Sequence, residues 1–385
     1  MKKLDLMFFD AGGGHRSAAN ALKQVIEQQQ RPWDVRLVNL QDLLDPLDIF
    51  RKITKIRMED VYNKLLAKGW TLGTPQLTWA MHGIIRVYHP AQVKILREFW
   101  LRSQPDLVVS VIPNFNRALH QSLDEAVPGT PLVTILTDLA DYPPHFWMER
   151  QSQHVICGTE RAAKQAAAIG HPEEHIWRTS GMILNPRYYD ARLHEISDEE
   201  RRDERRRLGL QPDLRTGLVL FGGQGSSAMK TIAERLGASG LPLQLILVCG
   251  HNHALLEKLT GIAKESKTPM HLEGFTKEVP GLMRISDFFI GKPGPGSISE
   301  ALAMRLPVIV ERNAWTLPQE RYNADWILEQ RLGLVLPNFK KIDEAVTALL
   351  EPETYRAFKE RAGALENRAV FEIPDILDKI LRGAG

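Results

Sequence analysis

Short apolar runs alternate with longer amphipathic stretches along most of this chain, the pattern of α/β structure with a parallel sheet. In the first half the runs predict strands at Leu4–Phe9, Val35–Leu40, Leu107–Val111, Leu132–Leu136 and His154–Cys157. In the second half they predict strands at Gly217–Phe221, Leu243–Cys249, Met270–Glu273, Phe288–Ile290, Pro307–Val310 and Gly333–Leu336. Helical periodicity fills nearly all the intervals. Each half opens in the same way: Leu6–Phe9 runs into Gly12-Gly13-Gly14, and Leu218–Phe221 runs into Gly222-Gly223-Gln224-Gly225. The repetition predicts two Rossmann-like domains, each with a ligand edge at the carboxyl ends of its strands. The boundaries expected are 1–182, 183–365 and a closing helix over 366–385 that packs back on the N-terminal domain. Between the halves, the run Ser197–Arg207 has acids leading and bases following, which suits a solvated helix.

A length of 385 residues agrees with two domains. Lys and Arg total 49 against 47 for Asp and Glu, a net charge of +2 that argues against a protein coating nucleic acid. No stretch approaches the roughly 20 apolar residues that span a bilayer. The first ten residues read as a strand rather than a signal peptide. The two cysteines, Cys157 and Cys249, each end an apolar run, as buried thiols in a reducing cytoplasm would.

The most informative segment is Ile290-Gly291-Lys292-Pro293-Gly294-Pro295-Gly296-Ser297-Ile298-Ser299-Glu300. A strand runs into closely spaced glycines and then into a helix beginning near Ser297. Glycines admit a ligand to the backbone, and free amides at a helix start hold an anion. Lys292 adds a mobile cation. Glu300, one turn into the helix, can accept from ribose hydroxyls. The spacing fits neither a Walker A loop nor the dinucleotide fingerprint.

Gly12-Gly13-Gly14-His15-Arg16-Ser17-Ala18-Ala19, taken with Lys292-Pro293-Gly294-Pro295-Gly296-Ser297-Ile298-Ser299-Glu300-Ala301, resembles the monogalactosyldiacylglycerol synthase and diacylglycerol glucosyltransferase group of glycosyltransferase family 28. Landmarks at Gln104–Leu107, Thr137-Asp138, Val248–Gly250, Gly274-Phe275 and Pro318–Glu320 with Asn323 extend the resemblance over nearly the whole chain. It implies a GT-B fold, two Rossmann-like domains facing across a cleft. It also implies a UDP-sugar donor held by the C-terminal domain and inverting transfer without a cofactor or catalytic metal. By the same resemblance Gly222, Gly223 and Gly225 approach the pyrophosphate and Phe275 lies against uracil. Gly294, Gly296 and Ser297 cradle the phosphates, Glu300 binds ribose, and Gln319, Glu320 and Asn323 read the sugar hydroxyls. His15 and Asp138 flank the acceptor. The chain departs from the group at Leu139–Trp147, where plant-type enzymes carry a Thr-Cys-His-Pro-like stretch, and at His251-Asn252-His253, where Arg-Asn is usual.

Sugar transfer needs a deprotonated acceptor hydroxyl and a stabilised leaving diphosphate. Backbone amides supply the second without a metal. The sequence has no Asp-x-Asp motif and no Cys/His cluster with metal-ligand spacing. Asp138, at the end of a predicted strand, and His15, near the start of a helix that lowers its pKa, compete as the base. We expect Asp138 to take the proton and His15 to position a substrate, with His145 a third candidate.

Residues 51–102 hold ten bases and three acids, a net +7 that leaves −5 for the rest of the chain. Three of the eight tryptophans, Trp70, Trp79 and Trp100, fall there, which predicts docking at an anionic membrane surface on its cytoplasmic face. The resulting expectation is a peripheral enzyme moving a hexose from a UDP-sugar to a lipid, most simply diacylglycerol. Two alternatives share the architecture: a UDP-N-acetylglucosamine 2-epimerase and a non-catalytic nucleotide-sugar-binding protein.

Overall fold

A computed structural model of the chain describes residues 1–10, 14–45 and 74–383. The first lobe contains β1 (Lys2–Phe8), α1 (Gly14–Gln28), β2 (Trp33–Asn39), α2 (Leu40–Leu44), α3 (Thr74–Ser103), β3 (Leu107–Ser110), α4 (Asn116–Ala126), β4 (Leu132–Ile135), β5 (His154–Cys157), α5 (Glu160–Ile169) and β6 (Ile176–Arg178). The second opens with α6 (Ala191–His194) and α7 (Asp198–Arg207) and continues through β7 (Arg215–Leu220), α8 (Ala228–Ala238), β8 (Leu243–Val248), α9 (His253–Glu265) and β9 (Met270–Glu273). Then follow α10 (Val279–Arg284), β10 (Phe288–Gly291), α11 (Pro295–Ala303), β11 (Val308–Glu311), α12 (Pro318–Gln330), β12 (Gly333–Leu336), α13 (Ile342–Leu350), α14 (Pro352–Ala364) and α15 (Ala369–Leu381).

Each lobe is built on a six-stranded parallel sheet, ordered β2-β1-β3-β4-β5-β6 and β12-β11-β10-β7-β8-β9. Alternate residues of the central strands feed two separate cores. Leu218, Leu220, Ile246, Val248 and Phe289 face one layer of helices, and Val219, Leu245, Leu247, Phe288 and Ile290 face the other. A strand buried on both faces has no polar side to alternate with, so these segments read as continuous apolar runs.

The strand order reverses beside β1 in the first sheet and beside β7 in the second. Crevices outside the carboxyl ends of strands open at such reversals. In the second sheet β7 and β10 lie side by side, with Leu220 opposite Gly291. Both strands therefore end at one level, and the glycine loops that follow start as neighbours.

The chain crosses between lobes twice. The returning helix α15 buries Val370, Ile373, Leu377 and Ile380 in the core that α1 and β1 share. Ser180 ties the two crossings together: its backbone N–H and hydroxyl both donate to Glu372, and its Oγ accepts from the Arg368 N–H at 2.7 Å. Under the cleft, Leu139, Ala140 and Met182 pack on Tyr322 of α12. Arg161 of α5 lies over the rings of both Tyr142 and Tyr322, at 5.7 and 5.2 Å.

The charged run forms α7 with a capping box between Ser197 and Glu200, but it is not wholly solvated. Arg205 is buried and pairs with the buried Asp287 at 2.9 Å. Asp287 also accepts from Arg201, Arg215 and the Thr216 N–H, which fastens α7 to β7 and β10. Both cysteines are buried and free. The expectation of interfacial tryptophans fails for Trp100, which is fully buried and donates from Nε1 to Ser122 Oγ at 2.9 Å. Trp70, the side chain of Trp79 and the basic residues from Arg51 to Lys68 lie outside the described residues. Lys94, Arg97 and Arg102 are exposed on α3. Among the described residues, no helix is long and apolar enough to cross a membrane.

Candidate active site

The loop from β10 into α11 is shaped by what crowds it. A side chain at Gly291 would meet the Leu220 carbonyl at 2.5 Å, so only glycine lets the two strand ends lie this close. Gly294 takes the N-cap position of α11 and Pro295 the first turn, with no capping side chain. The Gly296 and Ser297 amides thus begin a helix without the side-chain partner that usually satisfies such groups. Gly296 is exposed and Ser297 half-buried, so the amide end opens on the cleft.

Beside it, Gly222 and Gly225 adopt left-handed backbone, with φ of 76° and 61°. A turn closes between them, with the Gly225 N–H donating to the Gly222 carbonyl at 3.2 Å. Gly223 is exposed, and its carbonyl accepts from the His251 N–H at 2.8 Å. Lys292 joins the two loops: its Cε lies 3.9 and 3.2 Å from where side-chain carbons at Gly222 and Gly294 would sit. Its Nζ reaches Glu320 Oε1 at 2.6 Å. The half-buried Gln319 lies next to the buried Glu320 in the first turn of α12.

Asn323, Glu300 and Phe275 each have partners within the fold. Asn323 is fully buried, and its Nδ2 donates to the Pro293 carbonyl at 2.8 Å. It braces the loop from behind, and its Oδ1 is buried with no hydrogen-bond partner among the described residues. Glu300 is half-buried and hydrogen-bonded to Tyr188 of the inter-lobe connector; burial raises its pKa to about 7 against the pull of that bond. Phe275 is exposed and lies flat on His251, centroids 4.0 Å apart and planes 17° from parallel. The pair forms an aromatic step beyond β8 and β9.

Across the cleft, Asp138 lies just past β4 and His15 in the first turn of α1. The chain buries Asp138 and thereby raises its pKa from 3.8 to about 7. An indole N–H from Trp147, at 2.9 Å from Oδ2, pulls the other way. Glu320 raises the same pKa and Lys292 lowers it, so the acid of one lobe feels the ion pair of the other. Desolvation lowers the pKa of His15 to about 4, against a backbone hydrogen bond with Val111. Burial is thus the leading cause, where the sequence suggested the helix start. His15 Nδ1 is 3.2 Å from Thr137 Oγ1, and the ring lies 5.8 Å from that of Trp147. His145, the third candidate, keeps its Nδ1 3.3 Å from the Met148 carbonyl, within the loop.

Family models match both lobes. Residues 15–181 match the model of monogalactosyldiacylglycerol (MGDG) synthase, and residues 218–371 match the glycosyltransferase family 28 C-terminal domain. A chloroplastic monogalactosyldiacylglycerol synthase of Spinacia oleracea is 28% identical over 99% of this chain and 73% of its own length. The chain belongs to the MGDG synthase-like group of glycosyltransferase family 28. It is a glycosyltransferase, and its fold is GT-B. Acinetobacter baumannii MurG superposes on it with a TM-score of 0.64 at 13% identity, covering 98% of this chain and 100% of that one. A UDP-GlcNAc 2-epimerase from Neisseria meningitidis, solved with UDP-GlcNAc bound, also gives 0.64, at 15% identity over 99% of this chain and 100% of that one. These two likenesses establish the architecture and leave the reaction to the site.

The glycine loops, Lys292, Glu320 and Asp138 were all legible in the family 28 motifs. Trp147 and Tyr188 were not. Trp147 is nine residues past Asp138 in a stretch where this chain departs from the plant-type pattern, and no spacing rule links an indole to a carboxylate across such a loop.

Proposed function

We propose that the protein is an inverting glycosyltransferase that moves a hexose from a UDP-sugar to the hydroxyl of a membrane lipid, diacylglycerol in the simplest case. One observation carries the reading: the buried Asp138 of the first lobe, its pKa raised to about 7, feels the charges of Lys292 and Glu320 of the second, the ion pair that flanks the glycine loops. In this reading the Gly296 and Ser297 amides, Lys292 and the loop at 222–225 hold the diphosphate, and the His251–Phe275 step receives the base. Asp138 takes the proton from the acceptor hydroxyl, whose oxygen bonds to the anomeric carbon as the bond to UDP breaks. Charge then grows on the diphosphate, where fixed amides stabilise it without reorganising. Neutral His15, held by Thr137, orients the acceptor. Gln319 and Glu320, in the first turn of α12, read the hexose hydroxyls in this reading. Lys94, Arg97 and Arg102, with the basic sequence before them, support docking on an anionic membrane from the cytoplasmic side.

The test incubates the protein with diacylglycerol in vesicles containing phosphatidylglycerol and each UDP-hexose in turn, with products read by mass spectrometry. A hexosyl lipid and one UDP per transfer are expected. Conversion of the donor alone to an epimer, or UDP-sugar binding without turnover, would replace the reading with one of the two alternatives.

A further inference from the structure

We propose that Trp147 is the positioning residue of this site, fixing the Asp138 carboxyl and the His15 ring in one arrangement. The inference deepens the transfer reaction proposed above and rests on it for its kinetic arm alone. Trp147 is fully buried, and every polar group of its backbone and ring is used. Its backbone N–H donates to Asp141 Oδ1 at 2.6 Å, and its carbonyl accepts from Asn116 Nδ2 at 2.9 Å. Asp141 is itself held, with Oδ2 accepting from the His145 N–H at 3.0 Å and its own N–H donating to Gln165 at 2.9 Å. So fixed, the indole aims Nε1 at Asp138 Oδ2, which leaves the other oxygen of that carboxyl for the reaction. The ring also lies beside His15, tilted 56° to it, and limits the imidazole's freedom.

A donor on one oxygen does two things to a buried carboxyl: it sets the orientation, and it favours the charged form. Among the described residues, the charged and titratable groups around Asp138 are Asp141 on its own loop, Glu320 of α12, Lys292 of the β10–α11 loop and His15 of α1. Of these, only Lys292 works with Trp147 in favouring the charge; Asp141 and Glu320 oppose it. Burial also favours the neutral acid. Loss of the indole donor therefore moves the titration of Asp138 to higher pH.

The test compares Trp147→Phe, which keeps a ring and removes the donor, with Asp138→Asn and the double variant. Trp147→Phe is expected to move the acidic limb of kcat/KM alkaline by about one pH unit, the effect of losing one hydrogen bond to a charged group. KM for the UDP-sugar should stay unchanged, and the substitution should slow the Asp138→Asn enzyme no further. An unmoved limb, or an equal slowing in both backgrounds, overturns the proposal. A second arm needs no turnover. In ¹⁵N-labelled wild type, the Trp147 indole resonance should titrate with a midpoint near pH 7 and cease to titrate in Asp138→Asn. A resonance flat with pH in the wild type overturns the proposal even if Trp147→Phe fails to fold. If the indole titrates but no lipid product forms, the proposed reaction fails and the positioning survives.

Discussion

Lys292 Nζ lies 2.6 Å from Glu320 Oε1, and this ion pair bridges the turn after β10 and the first turn of α12. The buried carboxylate holds the ammonium beside Gly222 and Gly294, where an arriving diphosphate would meet it. Removal of Lys292 also leaves Glu320 buried without its cation. Lys292→Ala is therefore expected to weaken UDP binding by roughly 10- to 100-fold, the range for one charge-assisted contact, as measured by isothermal titration. An unchanged affinity would detach the lysine from the donor site.

Asp138 and His15 titrate on opposite sides of their ordinary values, near 7 and near 4. The base must be unprotonated, so kcat/KM should fall about tenfold per pH unit below pH 7 and level off above it. The histidine is neutral throughout that window and contributes no limb there. Asp138→Asn should lower kcat by about 10²- to 10⁴-fold and abolish the limb. A profile flat down to pH 5 would remove Asp138 from the role.

The same burial carries a stability cost with a definite sign. The folded pKa of Asp138 is raised, so the folded state holds a proton that the unfolded state releases between pH 3.8 and about 7. Stability contributed by the neutral acid is complete below pH 3.8 and is lost as pH rises through 7. Asp138→Asn should accordingly melt higher than wild type at pH 8, with the gap closing towards pH 4. Scanning calorimetry across that range reads it directly.

The first lobe shows how far the sequence carries. β1, β3, β4 and β5 stood out because burial on both faces makes a strand a continuous apolar run. β6, Ile176–Arg178, did not: it is a three-residue edge strand, partly exposed, and its pattern resembles a loop. The amide cradle was visible because close backbone approach requires glycine. The partners of its neighbours were not, since Tyr188 and Glu300 meet through the connector between the lobes. Arg205 read as a solvated charge because its partner, Asp287, is 82 residues away. Trp100 read as an interfacial aromatic and is instead a core side chain hydrogen-bonded to Ser122.

The Arg205–Asp287 pair marks a place where stability can be separated from activity. Both groups are nearly inaccessible, and Asp287 accepts from three arginines and a backbone N–H. Asp287→Ala strands Arg205 as a buried charge and should cost about 3–5 kcal/mol in urea denaturation. Asp287 precedes β10, at the end of the sheet away from the glycine loops, so kcat per folded molecule should hold.

Gly250 tests the packing behind the donor loops. Its φ is 60°, and a side chain there would come within 2.2 Å of the Gly223 carbonyl. Gly250→Ala must push the 222–225 loop outward and strain the backbone by about 1–3 kcal/mol. Reduced UDP affinity together with a lower melting temperature is expected; a drop in melting temperature alone would separate this loop from the diphosphate.

A crystal structure with UDP bound would show whether the glycine loops hold the diphosphate. The diphosphate should lie against the Gly296 and Ser297 amides, with Lys292 turned from Glu320 towards the phosphate and uracil beside Phe275. A diphosphate bound elsewhere, with Lys292 still paired to Glu320, would contradict that placement.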